Sequence, residues 1–121
     1  MNQKLKKTNM KRQFKSGLNV WNYVDATENL EITVTDIDVK NGVTNDRNNC
    51  PVALALKRVY TKAFIMRDSA VIIKMKKGMM TAVKYRMGNK LSQAIKIYEQ
   101  TTDFSTGVYL FKAPTIAQRL R

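Results

Sequence analysis

The chain has 121 residues, of which 44% are hydrophobic, and it combines a net charge of +13 with no histidine and a single cysteine. This composition fits one small globular domain and argues against histidine-dependent acid–base catalysis, Ser/His or Cys/His nucleophile pairs and Cys/His zinc sites. A lone thiol excludes an internal disulfide, so nothing indicates an oxidising compartment. The missing catalytic groups and the basic composition together predict a small non-enzymatic binding or structural protein that has no cofactor.

The first 24 residues hold six basic residues and no acidic residue. We interpret residues 1–24 as a basic N-terminal arm, residues 25–114 as one α+β domain and residues 115–121 as a short basic tail. An acid-free basic segment attracts polyanions or acidic protein surfaces. The arm residues expected to contact such a partner are Lys4, Lys6, Lys7, Lys11, Arg12, Lys15, Trp21 and Tyr23.

The two aromatic residues at the end of this block have two interpretations. Trp21 and Tyr23 can stack on bases, as aromatic residues do in proteins that bind single-stranded nucleic acid. Alternatively, they fasten the arm to the domain core or to a neighbouring subunit.

The first predicted elements of the domain are a strand and two helices. Alternating apolar residues predict a strand over residues 30–35, and the pattern from Thr35 to Asp38 is that of a capping box. Gly42 is placed to end the short helix that follows. Pro51 suits the first position of a second helix, because its missing N–H would be unpaired there in any case.

The second half of the domain is rich in predicted strands. Strands are expected over residues 63–66, 70–75 and 79–87, and a helix follows at Gly88 and Asn89. A last strand covers residues 107–113. Together these elements predict a small single α+β domain in which an antiparallel or mixed sheet packs against two helices.

Side-chain parity predicts the turn between strands 70–75 and 79–87. The apolar residues Val71, Ile73, Val83 and Tyr85 all have odd numbers, so a shared core face requires a loop with an odd number of residues. Residues 76–78 supply three residues, with glycine in the left-handed position.

This hairpin is the second candidate binding surface. With a three-residue turn, Lys74, Lys84 and Arg86 share its solvent face, while Lys76 and Lys77 belong to the turn. Such cations can bind phosphate groups, or they can face solvent and block edge pairing of the sheet.

Other reactive groups are expected to be structural. Cys50 lies at a helix N-terminus, where a thiol pKa falls, but no histidine is available as its base, so we expect it to pack. The spacing of Asp36, Asp38 and Asp46 does not follow a calcium loop, so capping of helices and loops explains these residues better. The seven methionines are expected to fill gaps in the core or in interfaces.

The segment NCPVALALKR at residues 49–58 resembles a family of small phage-encoded proteins with no assigned activity, which share a C-P-[IV]-A-L-A helix. The resemblance covers about residues 30–112 and leaves out the basic arm. Family members often carry Asp or a second Cys where this chain has Asn48 and Asn49, which argues against metal or redox chemistry. The resemblance implies a viral origin and a compact α+β fold, and it brings no catalytic residues.

Two functions remain open at this point. In the first, the chain is a capsid-associated or minor structural protein of a bacteriophage, located in the virion and, during assembly, in the host cytoplasm. Its basic arm then docks on neighbouring subunits of a capsid-type lattice. In the alternative, the arm and the basic hairpin bind DNA or RNA non-specifically, although no known nucleic-acid-binding signature is present. No membrane partner is expected, because the apolar runs are far shorter than a membrane span.

Overall fold

A computed structural model describes residues 12–115. Its elements in this part of the chain are β1 (Gln13–Ser16), β2 (Asn19–Asp25), β3 (Leu30–Val34), α1 (Asp36–Asn41), α2 (Pro51–Lys57), β4 (Lys62–Ile65), β5 (Ser69–Lys76), β6 (Met79–Met87), α3 (Asn89–Thr101) and β7 (Gly107–Lys112). The strands form one mixed sheet that curls into a half-barrel, which confirms the predicted small α+β domain.

The order of strands in the sheet differs from their order in the chain. Neighbouring strands run β1-β2-β6-β5-β4. Strand β7 pairs with the C-terminal end of β6 and, on its other side, with β3. All pairs are antiparallel except β2 and β6, which are parallel, with Asp25 opposite Lys84. One edge of β6 therefore pairs with β2 at residues 81–84 and with β7 at Arg86 and Met87.

Aromatic side chains close the curl of the sheet. Strands β1 and β4 lie at opposite ends of the five-strand order, yet the ring centres of Phe14 and Phe64 are 5.0 Å apart. Trp21 and Tyr23 of β2 lie 6.1 and 5.8 Å from Phe14. The concave side of the half-barrel is filled by this aromatic core, which also includes Val71, Ile73 and Ala82.

A larger core lies on the opposite, outer face of the sheet. Leu56 of α2 and Leu91 of α3 are buried there in one cluster with Ile72, Val83 and Phe111. The two cores share the central strands β5 and β6, whose residues alternate between them. Within residues 12–115, no helix has the length and apolar character needed to cross a bilayer.

The predicted three-residue turn of the β5–β6 hairpin is wrong. Lys76 pairs with Met79, so the turn contains only Lys77 and Gly78, which both have positive φ angles (51° and 78°). This geometry is that of a two-residue hairpin turn with the twist of the flanking strands. The alternation of apolar residues did not predict the turn, because residues 70–73 are buried on both faces of the sheet. Apolar positions in this strand therefore do not indicate which face is the core.

The interpretation of residues 1–24 as an arm is corrected for the described residues. Strands β1 and β2 belong to the sheet, because Phe14, Trp21 and Tyr23 turn onto its concave face. The six basic residues of this segment favoured its interpretation as an arm over a strand. Residues 1–11, which include Lys4, Lys6, Lys7 and Lys11, and residues 116–121 lie outside the described part of the chain.

The first two helices begin where the sequence predicts. The backbone N–H of Thr35 donates a 2.8 Å hydrogen bond to Oδ2 of Asp38, which completes the capping box, and α1 ends before Gly42. Helix α2 has Cys50 as its N-cap and proline at its first position. It ends at Lys57, and Val59 beyond it is exposed.

The junction of α1 and α2 leaves no room for a side chain at Gly42. A Cβ there would lie 2.6 Å from Cδ of Pro51 and 3.0 Å from the carbonyl oxygen of Asp38. The substitution Gly42→Ala is therefore expected to destabilise the fold by about 1–3 kcal/mol through overpacking. Urea unfolding measures this loss, with Asn41→Ala, an exposed neighbour, as the control. Equal unfolding midpoints for the two variants would show that the junction can relax.

Candidate polyanion-binding groove

An open groove of about 620 Å³ lies at the end of the half-barrel where β2, β4 and β6 end and β5 begins. Barrel mouths are common binding sites, because strand ends and turns bring distant side chains together there. The charged residues of this groove are four bases and two acids: Arg12, Arg67, Lys84, Arg86, Asp25 and Asp68.

Two of the bases stand on the concave face of β6. Lys84 pairs with Val71 of β5 and Arg86 pairs with Ser69, and residues two apart on a strand point to the same face. Val71 belongs to the aromatic core, so both cations stand beside it at the groove. Within residues 12–115, neither side chain makes an ion pair or a hydrogen bond.

Two further cations extend this basic row. Lys112 of β7 lies directly opposite Arg86, and like charges in such a cross-strand pair repel each other. An anion bound between them would relieve this repulsion. Arg67, in the turn between β4 and β5, lines another wall of the groove and has no carboxylate partner within the described residues.

Arg12 and Tyr23 form a more fixed wall. The guanidinium of Arg12 donates to both carboxylate oxygens of Asp25, at 3.0 and 3.3 Å, and lies 4.5 Å from the centre of the Tyr23 ring. The hydrogen bond to Asp25 raises the pKa of Arg12, and burial raises the pKa of Tyr23. At neutral pH the groove therefore keeps a charged guanidinium and a protonated phenol.

The basic face that parity predicts for the β5–β6 hairpin is divided between two sides of the sheet. The two-residue turn shifts the register by one, so Lys74 pairs with Thr81 instead of sharing a face with Lys84 and Arg86. Lys76 likewise projects from the outer face, and Lys77 stays in the turn at the other end of the strands.

Lys74 is engaged within the fold. Its ammonium donates a 3.0 Å hydrogen bond to the hydroxyl of Tyr85 and lies 5.4 Å from the ring centre of Tyr60. The lysine stem and its charge therefore cover two tyrosines of the outer face. This position takes Lys74 away from the groove.

Of the candidate residues from the sequence, the groove brings together Arg12, Tyr23, Lys84 and Arg86. Lys15, Trp21, Lys76 and Lys77 lie towards the opposite end of the half-barrel. Sequence reasoning missed Arg67 and Lys112. The turn sequence Arg67-Asp68-Ser69 is the one available signal for Arg67, whereas Lys112 depends on the pairing of β6 with β7.

Cys50 and Asp46 make contacts within the fold. Cys50 is buried, and burial raises the pKa of its thiol, which opposes nucleophilic chemistry. The carboxylate of Asp46 accepts hydrogen bonds from the backbone amides of Asn48 and Asn49 at 3.0 and 3.2 Å. In the described part of the chain, no three His, Cys, Asp or Glu side chains cluster as metal ligands.

Comparisons of the chain with protein families, curated proteins and solved structures give no match. The chemistry of the groove is therefore the basis for assigning a function.

Proposed function

We propose that the protein is a non-enzymatic nucleic-acid-binding protein that holds a phosphate backbone in the groove at the end of its half-barrel. The observation that carries this proposal is that Arg67, Lys84 and Arg86 line one groove without a carboxylate partner within residues 12–115. Guanidinium and ammonium groups form strong charge-assisted hydrogen bonds with phosphate oxygens. The net charge of +13 adds a long-range attraction for polyanions.

The groove residues divide the work of binding a backbone. Arg67 and Arg86 can each contact a phosphate in a bidentate manner, while Lys84 supplies a point charge two residues from Arg86 along β6. The repulsion between Arg86 and Lys112 favours a bound anion at that end of the groove. Contacts of this kind position a nucleic acid and carry no sequence information, so we expect binding without sequence preference.

The double variant Lys84→Gln/Arg86→Gln tests the groove. Titration of a labelled oligonucleotide, followed by fluorescence anisotropy at several salt concentrations, gives the slope of log K against log salt. That slope is expected to fall by about 0.7–0.9 for each lost phosphate contact, and the affinity by about tenfold or more.

The control must remove the same charge from elsewhere. Lys40→Gln/Lys96→Gln does so at two exposed positions on α1 and α3. Its salt slope is expected to stay close to that of the native chain. Equal losses in both double variants would assign binding to net charge alone, and an absence of binding by the native chain at near-physiological salt would overturn the proposed function.

A second candidate is a phage assembly component, in keeping with the viral origin that the family resemblance implies. Its support is a groove of about 340 Å³ beside α1 and α3, in which Val39, Ala94, Phe104 and the exposed Ile97 lie next to Asp103 and Ser105. Apolar grooves with a few polar groups are common binding sites. If the titration shows no nucleic-acid binding, this becomes the leading candidate.

A further inference from the structure

The parallel pairing of β2 and β6 places two hairpin turns side by side at the end of the half-barrel opposite the groove. The β1–β2 turn occupies residues 17–18 and the β5–β6 turn occupies residues 77–78. The register of β2 and β6 puts Val20 level with Met79. The two turns therefore form one continuous end surface.

This end surface is both apolar and basic. Its four exposed apolar side chains, which are between 51% and 102% exposed, are Leu18, Val20, Met75 and Met79. Four lysines surround them: Lys15, Lys62, Lys76 and Lys77. We call these eight residues the tip surface.

Among residues 12–115, no carboxylate forms an ion pair with the tip surface, and Asp25, which lines a neighbouring groove together with Lys76, Lys77 and Met79, is paired with Arg12. Residues 12–24 and 69–87, which form both hairpins up to Val24, contain neither Asp nor Glu. Within the described residues, none of the four lysines has an ion-pair partner, although Lys62 lies 6.0 Å from the ring centre of Trp21. The excess positive charge of this surface therefore favours an anionic ligand, and a second copy docked tip to tip is disfavoured because lysines would face lysines.

The apolar side chains add a second requirement. A duplex keeps its base faces stacked in its interior and presents phosphates outside, so it leaves exposed leucine and methionine uncovered. A single strand offers unstacked base faces together with phosphates, which matches apolar side chains surrounded by lysines.

We propose that the tip surface binds bases and phosphates of a single-stranded nucleic acid, and that it makes a single strand the preferred ligand over a duplex. This inference rests on the proposed function and extends it to the opposite end of β2 and β6. Strand β6 is nine residues long and spans about 30 Å at roughly 3.3 Å per residue. One strand of several nucleotides can therefore contact both the tip surface and the groove.

The test separates apolar contacts from charge. The variant Leu18→Ser/Met79→Ser removes two exposed apolar side chains and keeps every lysine, and Val59→Ser/Val108→Ser is a control at two exposed apolar positions outside the candidate binding surfaces. Anisotropy titrations with a 20-nucleotide oligo-dT and a 20-base-pair duplex compare the two ligands. We expect the native chain to prefer the single strand, and the tip variant to lose about tenfold in single-strand affinity with its salt slope unchanged.

The outcomes distinguish this inference from the proposed function. The native chain could bind both oligonucleotides with equal affinity, and the tip variant could leave that affinity unchanged. If Lys84→Gln/Arg86→Gln still weakened binding, these results would overturn the role of the tip surface and support that of the groove. No binding of either oligonucleotide would overturn both. Sedimentation with vesicles of phosphatidylglycerol and phosphatidylcholine tests a lipid ligand. If the tip variant no longer binds these vesicles but binds the single strand as tightly as the native chain does, the surface would be reassigned to anionic lipid.

Discussion

Replacing Phe64 with alanine is expected to lower the free energy of unfolding by about 3–5 kcal/mol, because a buried aromatic side chain and its packing are lost together. The ring lies 5.0 Å from that of Phe14 and 6.1 Å from that of Trp21, measured between centres. Phe64 is thus the residue of β4 that holds β1 and β2 across the curl. A loss of this size is a large part of the stability of a small domain.

Urea unfolding followed by tryptophan fluorescence measures this effect directly. Trp21 is the one tryptophan of the chain, and it lies in the aromatic core. Its emission should move towards that of solvent-exposed tryptophan at lower urea in Phe64→Ala than in the native chain. The exposed residue Val108 provides the control, and Val108→Ala is expected to change stability by less than about 0.5 kcal/mol. A loss below about 1 kcal/mol for Phe64→Ala would mean that the rings do not hold the curl closed.

Replacing Arg58 with methionine is expected to cost about 2–4 kcal/mol at neutral pH, because it leaves the Asp38 carboxylate buried without its cation. Asp38 is 3% exposed, and Arg58 donates hydrogen bonds both to this carboxylate and to the carbonyl oxygen of Thr33. The cost lies below that of a fully buried pair, because the Arg58 side chain is 46% exposed and partly screened by water.

The pH dependence distinguishes this charge effect from a loss of packing. Burial acts to raise the pKa of Asp38, but hydrogen bonds from Arg58 and Thr35 outweigh it, so this pKa lies below its ordinary value. In the native chain, this contribution to stability is therefore complete above about pH 4 and is lost as pH falls through the lowered pKa. In Arg58→Met the pKa of Asp38 rises, so the gap in stability between native and variant chains should narrow on acidification. A gap that stays constant from pH 7 to pH 3 would assign the cost to packing instead.

Local patterns in the sequence were enough to predict most elements. The alternation before Thr35, the capping box at Asp38 and the proline at position 51 each report on neighbouring residues, and the structure has the expected strand and helices there. Register across the β5–β6 turn was not predictable from parity, because a strand between two cores loses its alternation. The one-residue shift then moved Lys74 to the other side of the sheet.

The groove was only partly predictable for a related reason. Arg12, Tyr23, Lys84 and Arg86 were candidates because of their charge or aromatic character, but nothing local connects β2 with β6. Their meeting depends on a parallel pairing between strands far apart in the chain. Lys112 lies beside Arg86 only because β7 pairs briefly with the end of β6, and no local sequence pattern predicts that pairing.

The same parallel pairing determines how late in synthesis the sheet can form. Strands β1 and β2 leave the ribosome first, but β2 must wait about 60 residues for β6, its neighbour in the sheet. Until then, Phe14, Trp21 and Tyr23 have no aromatic core to enter, and the nascent chain presents them to solvent. Closure of such a distant pairing is intrinsically slow. The growing chain therefore passes through a stage in which an aromatic hairpin is open to chaperones or to premature association.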